Sequence, residues 1–199
     1  MKKGLLIALF MSLIFGTAAF AGPDEIKFRG HEWGEPIETV FDAEITSDMV
    51  EDVDYGWSDK YLIIIKGSVS IFDCYTYFEY NDNRQLCSGI YVLTEEHAND
   101  NKYYDDFTTL EEALTSVYGR PMIAKDNWSD DLYKDDPDHI GLAIAAEHLS
   151  LYREWRASDG SSCVLGCYGD NYEISNVVQY FAPEDLGIAN EDNSKTNGL

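Results

Sequence analysis

Residues 61–93, YLIIIKGSVSIFDCYTYFEYNDNRQLCSGIYVL, switch the chain to a period of two and thereby decide the fold. Tyr61 to Ile65 form an apolar run of the kind buried in a strand, ending near Gly67. Next, Cys74, Thr76, Phe78 and Tyr80 alternate on one strand face against Tyr75, Tyr77 and Glu79 on the other. Asn81-Asp82-Asn83-Arg84 is turn chemistry, because short amide and carboxylate side chains bond their own backbone and tolerate left-handed conformations. A third strand then places Cys87, Gly89, Tyr91 and Leu93 on one face. The stretch therefore predicts a three-stranded antiparallel meander.

Working outward, the period changes to helical on both sides. Gly34 precedes Pro36, and Ile37, Val40 and Phe41 recur at helical spacing, so a short helix begins near 36. Further along, Thr108 and Glu111 spell a capping box, and Leu110, Ala113, Leu114, Val117 and Tyr118 form an apolar stripe. Gly119 and Pro121 then stop the chain, predicting a helix over 107–119. In DDLYKDDPD (130–138), Asp136 suits a helix cap, Pro137 a first helical position and Asp138 the positive end of the dipole. A helix over 137–148 follows, although Ile140, Leu142, Ile144 and Ala146 also alternate as a strand would. Leu149, Leu151 and Trp155, then Cys163, Leu165 and Cys167, then Ile174, Val177 and Tyr180 read as a second meander, broken by Pro183.

The pattern is helix then three strands, twice. It predicts an α+β fold of two tandem αβββ repeats, about 30–97 and 107–183, forming one antiparallel sheet with helices on one face. The other face is more polar and rich in tyrosine. One domain spans 22–183, and EDLGIANEDNSKTNGL (184–199) reads as a flexible acidic tail.

Residues 1–21, MKKGLLIALFMSLIFGTAAFA, carry Lys2 and Lys3, an apolar run to Phe15 and the small-residue pattern Ala19-Phe20-Ala21. This predicts a secretory signal peptide removed before Gly22, and its apolar run is short for a membrane span. Removal takes two lysines and no acid, so the net charge of −23 becomes −25. Phosphate backbones and anionic lipid are repelled by such a surface, which argues against nucleic acid and against membrane insertion of the mature chain. The expected location is periplasmic or secreted and soluble. Cys74, Cys87, Cys163 and Cys167 are an even set in an exported chain, which predicts structural disulfides among three alternative pairings. Cys163 and Cys167 on one strand would lie about 13 Å apart, so a bridge between them needs a loop. Neither pair has the C-x₂-C spacing of a compact zinc knuckle.

Four stretches, FRGHEWGEPIETV (28–40), VLTEEH (92–97), LYKDDP (132–137) and YGDNYEI (168–174), together resemble an uncharacterised family of exported bacterial proteins of similar length. The likeness spans nearly the whole mature chain and brings no assigned activity or functional residues. The double helix-plus-sheet pattern also resembles the β-lactamase-inhibitor-like and outer-membrane-assembly small-lipoprotein architecture, by fold analogy. This chain lacks the lipid-anchor cysteine of such lipoproteins.

Candidate sites are few. Asp130, Asp131, Asp135, Asp136 and Asp138 supply oxygen ligands suited to calcium, but Leu132, Tyr133 and Lys134 interrupt them and no calcium-loop spacing is present, so they read as a hydrated helix entrance. His97 follows Glu95 and Glu96, and His148 follows Glu147, without the H-E-x-x-H spacing of a zinc enzyme; His31 reads as a solvated loop residue. No G-x-S-x-G nucleophile motif occurs, and with 37 acids any fold brings some pair of carboxylates together, so a carboxylate pair is not diagnostic. Tyr75, Tyr77 and Glu79 remain, projecting from one sheet face where apolar contact and hydrogen bonding coexist. The expectation is a non-enzymatic binding module for a protein or envelope component, with no cofactor or metal. A hydrolase using Asp, Glu and His97 or His148, and an acidic calcium-responsive protein, are the alternatives.

Overall fold

The structure, a computed structural model, describes residues 22–45, 62–184 and 186. The leader expected over 1–21 and nearly all of the expected tail lie outside the described residues. Among the described residues there are three α-helices and one seven-stranded antiparallel sheet, a mixed and mostly β arrangement. The chain order is α1 (Ile37–Ile45), β1 (Leu62–Val69), β2 (Phe72–Tyr80), β3 (Leu86–Leu93), α2 (Asn101–Tyr118) and β4 (Ile123–Trp128). A 3₁₀ turn (Pro137–His139), α3 (Ile140–Ala145), β5 (Leu149–Arg156), β6 (Ser162–Asp170) and β7 (Glu173–Phe181) complete it. Across the sheet the strands run β1-β2-β3-β7-β6-β5-β4, so the first meander meets the second where β3 pairs with β7. No helix of the described residues is long and apolar enough to cross a membrane.

The period-two reading holds in its register over β2 and β3, while Tyr61 and the side chains of residues 62–66, expected to be buried, lie outside the described residues. Cys74 pairs with Leu93, Thr76 with Tyr91 and Phe78 with Gly89, so these residues share one face. Asn81 Oδ1 accepts from the backbone N–H groups of Asn83 and Gln85, and Arg84 takes a φ of 60°, which closes the β2–β3 turn as its composition anticipated. Phe72, Cys74, Thr76, Phe78 and Tyr80 are buried on that inner face, as are Leu149, Leu151 and Trp155 of β5 and Cys163, Leu165 and Cys167 of β6. Ile37 and Val40 of α1, Phe107, Leu110 and Leu114 of α2 and Ile144 of α3 join the same core. The N-terminal segment also enters it: Ile26 and Phe28 are fully buried, and Phe28 packs its ring 5.1 Å from Phe78, 5.0 Å from Tyr91 and 5.3 Å from Tyr180.

Several expectations need correction. The helix expected over 107–119 starts six residues earlier, at Asn101, so Thr108 lies inside it and is no cap; its hydroxyl donates to the Asp105 carbonyl. The buried stripe is Phe107, Leu110 and Leu114, while Ala113 and Val117 face solvent. The strand β4, IAKDNW, was not anticipated, because the four residues between its half-buried ends are exposed and carry no burial pattern. On β7, Asn176, Val178 and Tyr180 face inward, which turns Val177 to the opposite face. The second half therefore contains an extra strand and two helices before its meander, not one helix and three strands.

The helix expected at 137–148 begins as its residues suggest. Asp136 Oδ1 accepts from the Asp138 N–H, with Pro137 at the first position, but α3 ends at Ala145 because Glu147 turns to a φ of 61°. The expected disulfides are not found among the described residues. All four cysteines are buried, and Cys163 and Cys167 sit on one strand with Leu165 between them on the same face. Burial pushes the thiols of Cys163 and Cys167 up to about 12.

Candidate functional site

Among the described residues the sheet has one face against the core and one that carries no helix. On the outward face the antiparallel register sets Tyr75, Val92, Val177, Gly166 and Tyr152 side by side across β2, β3, β7, β6 and β5, with Lys125 of β4 beyond. The neighbouring row is Tyr77, Ile90, Gln179, Val164, Glu154 and Ile123. Glu79 starts a third row, opposite Ser88. Tyr75 is 40% exposed and Tyr168 47%, while Tyr77, Ile90, Val92 and Val177 are half-buried among one another. A Cβ on Gly166 would meet nothing nearer than the Tyr168 ring at 3.9 Å, so the bare glycine leaves a shallow notch in the middle of the face.

The polar groups on this face are arranged, not merely scattered. Glu154 is only 6% exposed and accepts from the Tyr152 hydroxyl at 2.8 Å and from Arg156 at 2.7 Å. Burial and then the Glu154 carboxylate push the Tyr152 phenol up to about 12. Burial, with Tyr75 beside it, raises the Tyr77 hydroxyl above its ordinary value. Both phenols therefore stay neutral and able to donate at physiological pH.

A second region lies where α2 begins. Leu93, Thr94, Glu95, Glu96 and His97 after β3, Asp100 and Tyr103, and Tyr172, Glu173 and Ile174 at the start of β7 line a recess of about 450 Å³. His97 Nε2 lies 2.6 Å from Asp106 Oδ2, and its ring meets Tyr103 edge-on with centroids 4.8 Å apart. Glu95 is held by accepting from the Asp73 backbone N–H. Tyr172 stands at the rim, 73% exposed, in a hairpin turn where Asn171 and Tyr172 both have positive φ.

The histidines do not converge. His97 belongs to this recess, whereas His148 and His139 both stack on Tyr133, at 5.7 Å and 5.9 Å. His31, expected to be solvated, is instead 9% exposed and lies between two carboxylates. The acidic stretch before α3 is bound up locally: Asp130 accepts from the Leu132 N–H, Asp131 pairs with Lys134, and Asp136 caps the turn and meets His139. Among the described residues no three His, Cys, Asp or Glu side chains are gathered as metal ligands.

The His97–Asp106 pair escaped sequence reading because a helix start at 107 left Asp106 in a loop. With α2 starting at 101, Asp106 lies on its second turn and faces back to the β3–α2 connection. The His31 cluster joins a turn to the far end of α1, a contact that no local spacing encodes. Comparison with known proteins finds no matching family model, no matching curated protein and no matching solved structure.

Proposed function

We propose that this chain is an exported, non-enzymatic binding module that engages another protein or an envelope component through the open face of its sheet, with Tyr75, Tyr77 and Glu79 in the contact. The observation that carries this reading is the unbroken cross-strand row Tyr75–Val92–Val177–Gly166–Tyr152, apolar and phenolic, on the face that carries no helix among the described residues. Aromatic and apolar groups with donors at their tips, surrounded by charged residues, are the composition of recognition surfaces. A tandem duplication accords with the strand order, in which each meander contributes its last strand, β3 or β7, to the sheet centre. In that reading α3 with β5–β7 answers α1 with β1–β3, while α2 and β4 are additions.

The test compares capture from native envelope extract by the intact protein, by a Tyr75→Ser/Tyr77→Ser variant and by a Val117→Ser control on the exposed side of α2. A partner retained by the first and third and lost by the second supports the reading. Capture that ignores the tyrosines overturns it.

A second reading, hydrolysis, is favoured by the His97–Asp106 contact beside a recess, since a carboxylate that orients an imidazole makes it a competent base. Turnover of ester or glycoside substrates that disappears in both His97→Gln and Asp106→Asn would establish it. Turnover surviving either change would place the chemistry elsewhere.

A further inference from the structure

Phe28 and His31 bracket a tight turn in which Arg29 and Gly30 have φ of 52° and 83° and the His31 N–H donates to the Phe28 carbonyl at 2.9 Å. The turn sends Phe28 into the core and His31 towards the last turn of α1. There, His31 Nδ1 is 2.9 Å from Glu35 Oε2, and Nε2 is 3.0 Å from Glu44 Oε1. Arg29 Nε donates to the same Glu44 Oε1 at 2.9 Å. Arg29 Nη2 lies 2.8 Å from Glu44 Oε2, a charge contact without the alignment of a hydrogen bond. Glu44 is 5% exposed, so its charge depends on these partners.

We propose that His31 is a pH-operated clasp: as an imidazolium it bridges Glu35 and Glu44 and locks the 28–35 segment against α1, and loss of its proton releases one of the two carboxylates. This goes beyond the sheet-face reading and stands independently of it.

Hydrogen inventory carries the reasoning. An ionised carboxylate only accepts, and a neutral imidazole has one N–H, so it can satisfy one glutamate while turning a lone pair at the other. Both contacts are hydrogen bonds together only when both ring nitrogens are protonated. Charge agrees, because Arg29 and protonated His31 balance Glu35 and Glu44, whereas a neutral His31 leaves a part-buried cluster with net negative charge. The hydrogen bond to Glu44 and that to Glu35 raise the His31 pKa against the opposing effect of burial. Burial pushes Glu44 upward, but the bonds from His31 and Arg29 outweigh it and hold the carboxyl below its ordinary value.

The groups around the clasp come from four elements. Glu35 precedes α1, Glu44 lies in its last turn, and Arg29 lies on the turn itself. Tyr91 of β3 lies beside Arg29. From β2, Phe78 meets the His31 ring edge-on at 6.0 Å, and the buried Tyr80 hydroxyl makes no hydrogen bond among the described residues. Burial, with Glu44 and Glu35 nearby, keeps Tyr80 neutral. Of the two glutamates, Glu35 is the one that leaves: its side chain is 23% exposed and can turn to water, while Glu44 stays with Arg29.

A histidine whose folded pKa exceeds the ordinary 6.5 contributes stability that is full below 6.5 and is lost as pH rises through the folded value. The experiment is a nitrogen-detected NMR titration of the intact protein, with melting curves from pH 5.5 to 8.5, for the native chain, His31→Gln and Glu35→Gln. The expected result is a His31 ring protonated on both nitrogens at pH 6, with a midpoint above 6.5. The native melting temperature then drops by roughly 3–5 °C for each unit by which that midpoint exceeds 6.5. Glu35→Gln lowers the midpoint, and His31→Gln abolishes the drop, which separates it from titration of His97, His139 and His148. Should His31→Gln fail to fold, the native titration and Glu35→Gln decide the matter. A midpoint at or below 6.5, a single-nitrogen tautomer at pH 6, or an undiminished drop in His31→Gln overturns the clasp.

Discussion

The insertion of Phe28 into the sheet's inner face can be tested against a glycine that makes room for it. A Cβ built on Gly89 would sit 2.1 Å from Phe28 Cδ1, closer than atoms approach, so the missing side chain at 89 is where the ring fits. Removing the ring by Phe28→Ala empties a fully buried site bordered by Phe78, Tyr91 and Tyr180, at a cost of about 3–5 kcal/mol. For a chain of this size, that lowers the melting temperature by roughly 6–20 °C. Gly89→Ala alone overpacks the site and costs about 1–3 kcal/mol. With the ring already gone, the same change meets no clash and restricts the unfolded chain, so it becomes neutral or stabilising by about 0.5–1 kcal/mol. Urea unfolding followed by tryptophan fluorescence on the four members of this cycle should show a favourable coupling of about 1–4 kcal/mol. If Gly89→Ala costs the same in both backgrounds to within about 0.5 kcal/mol, the two groups do not share this space and the packing described is wrong.

Three further outcomes are expected. The four thiols, buried and with Cys163 and Cys167 pushed up to about 12, should remain unreactive to a thiol reagent at pH 8 in the native protein and all react once urea unfolds it. Asp136→Ala removes the acceptor for the Asp138 N–H and should cost about 0.5–2 kcal/mol, whereas Asp135→Ala, exposed, should stay within about 0.5 kcal/mol; equal effects would deny the cap its role. Tyr75→Ser, at a 40% exposed position, should change stability by less than about 1 kcal/mol, measured by urea denaturation, and a larger loss would mean that the outward face is structural.

The first meander was legible because its burial alternates cleanly along β2, and the turn at 81–84 because asparagine chemistry is local. The cap at Asp136 was legible for the same reason. What escaped depends on partners distant in sequence. β4 is a strand because β5 offers it a ladder, and its own residues, Lys125, Asp126 and Asn127 among them, are exposed. α2 hid its first six residues behind Asn101, Lys102, Asp105 and Asp106, and the apparent capping box lost to a helix already anchored by Phe107. β7 misled because a buried polar residue, Asn176, occupies an inward position and donates to the Tyr103 carbonyl, so the apolar pattern shifted to Val177. The candidate surface was half visible. Tyr75 and Tyr77 followed from alternation, but the row that continues through Val177, Gly166 and Tyr152 exists only once the strand order is known.

The sealed thiols set a constraint on how the chain reaches its native state. They are shielded only after the sheet has closed over them, and in a nascent chain each is an ordinary reactive group. Any bridge formed early, Cys163 to Cys167 above all, would bend a segment that has to run straight as β6. Assembly in an oxidising medium is thus a race between burial and misbridging, and yield on refolding should be higher with a reductant present than with an oxidant.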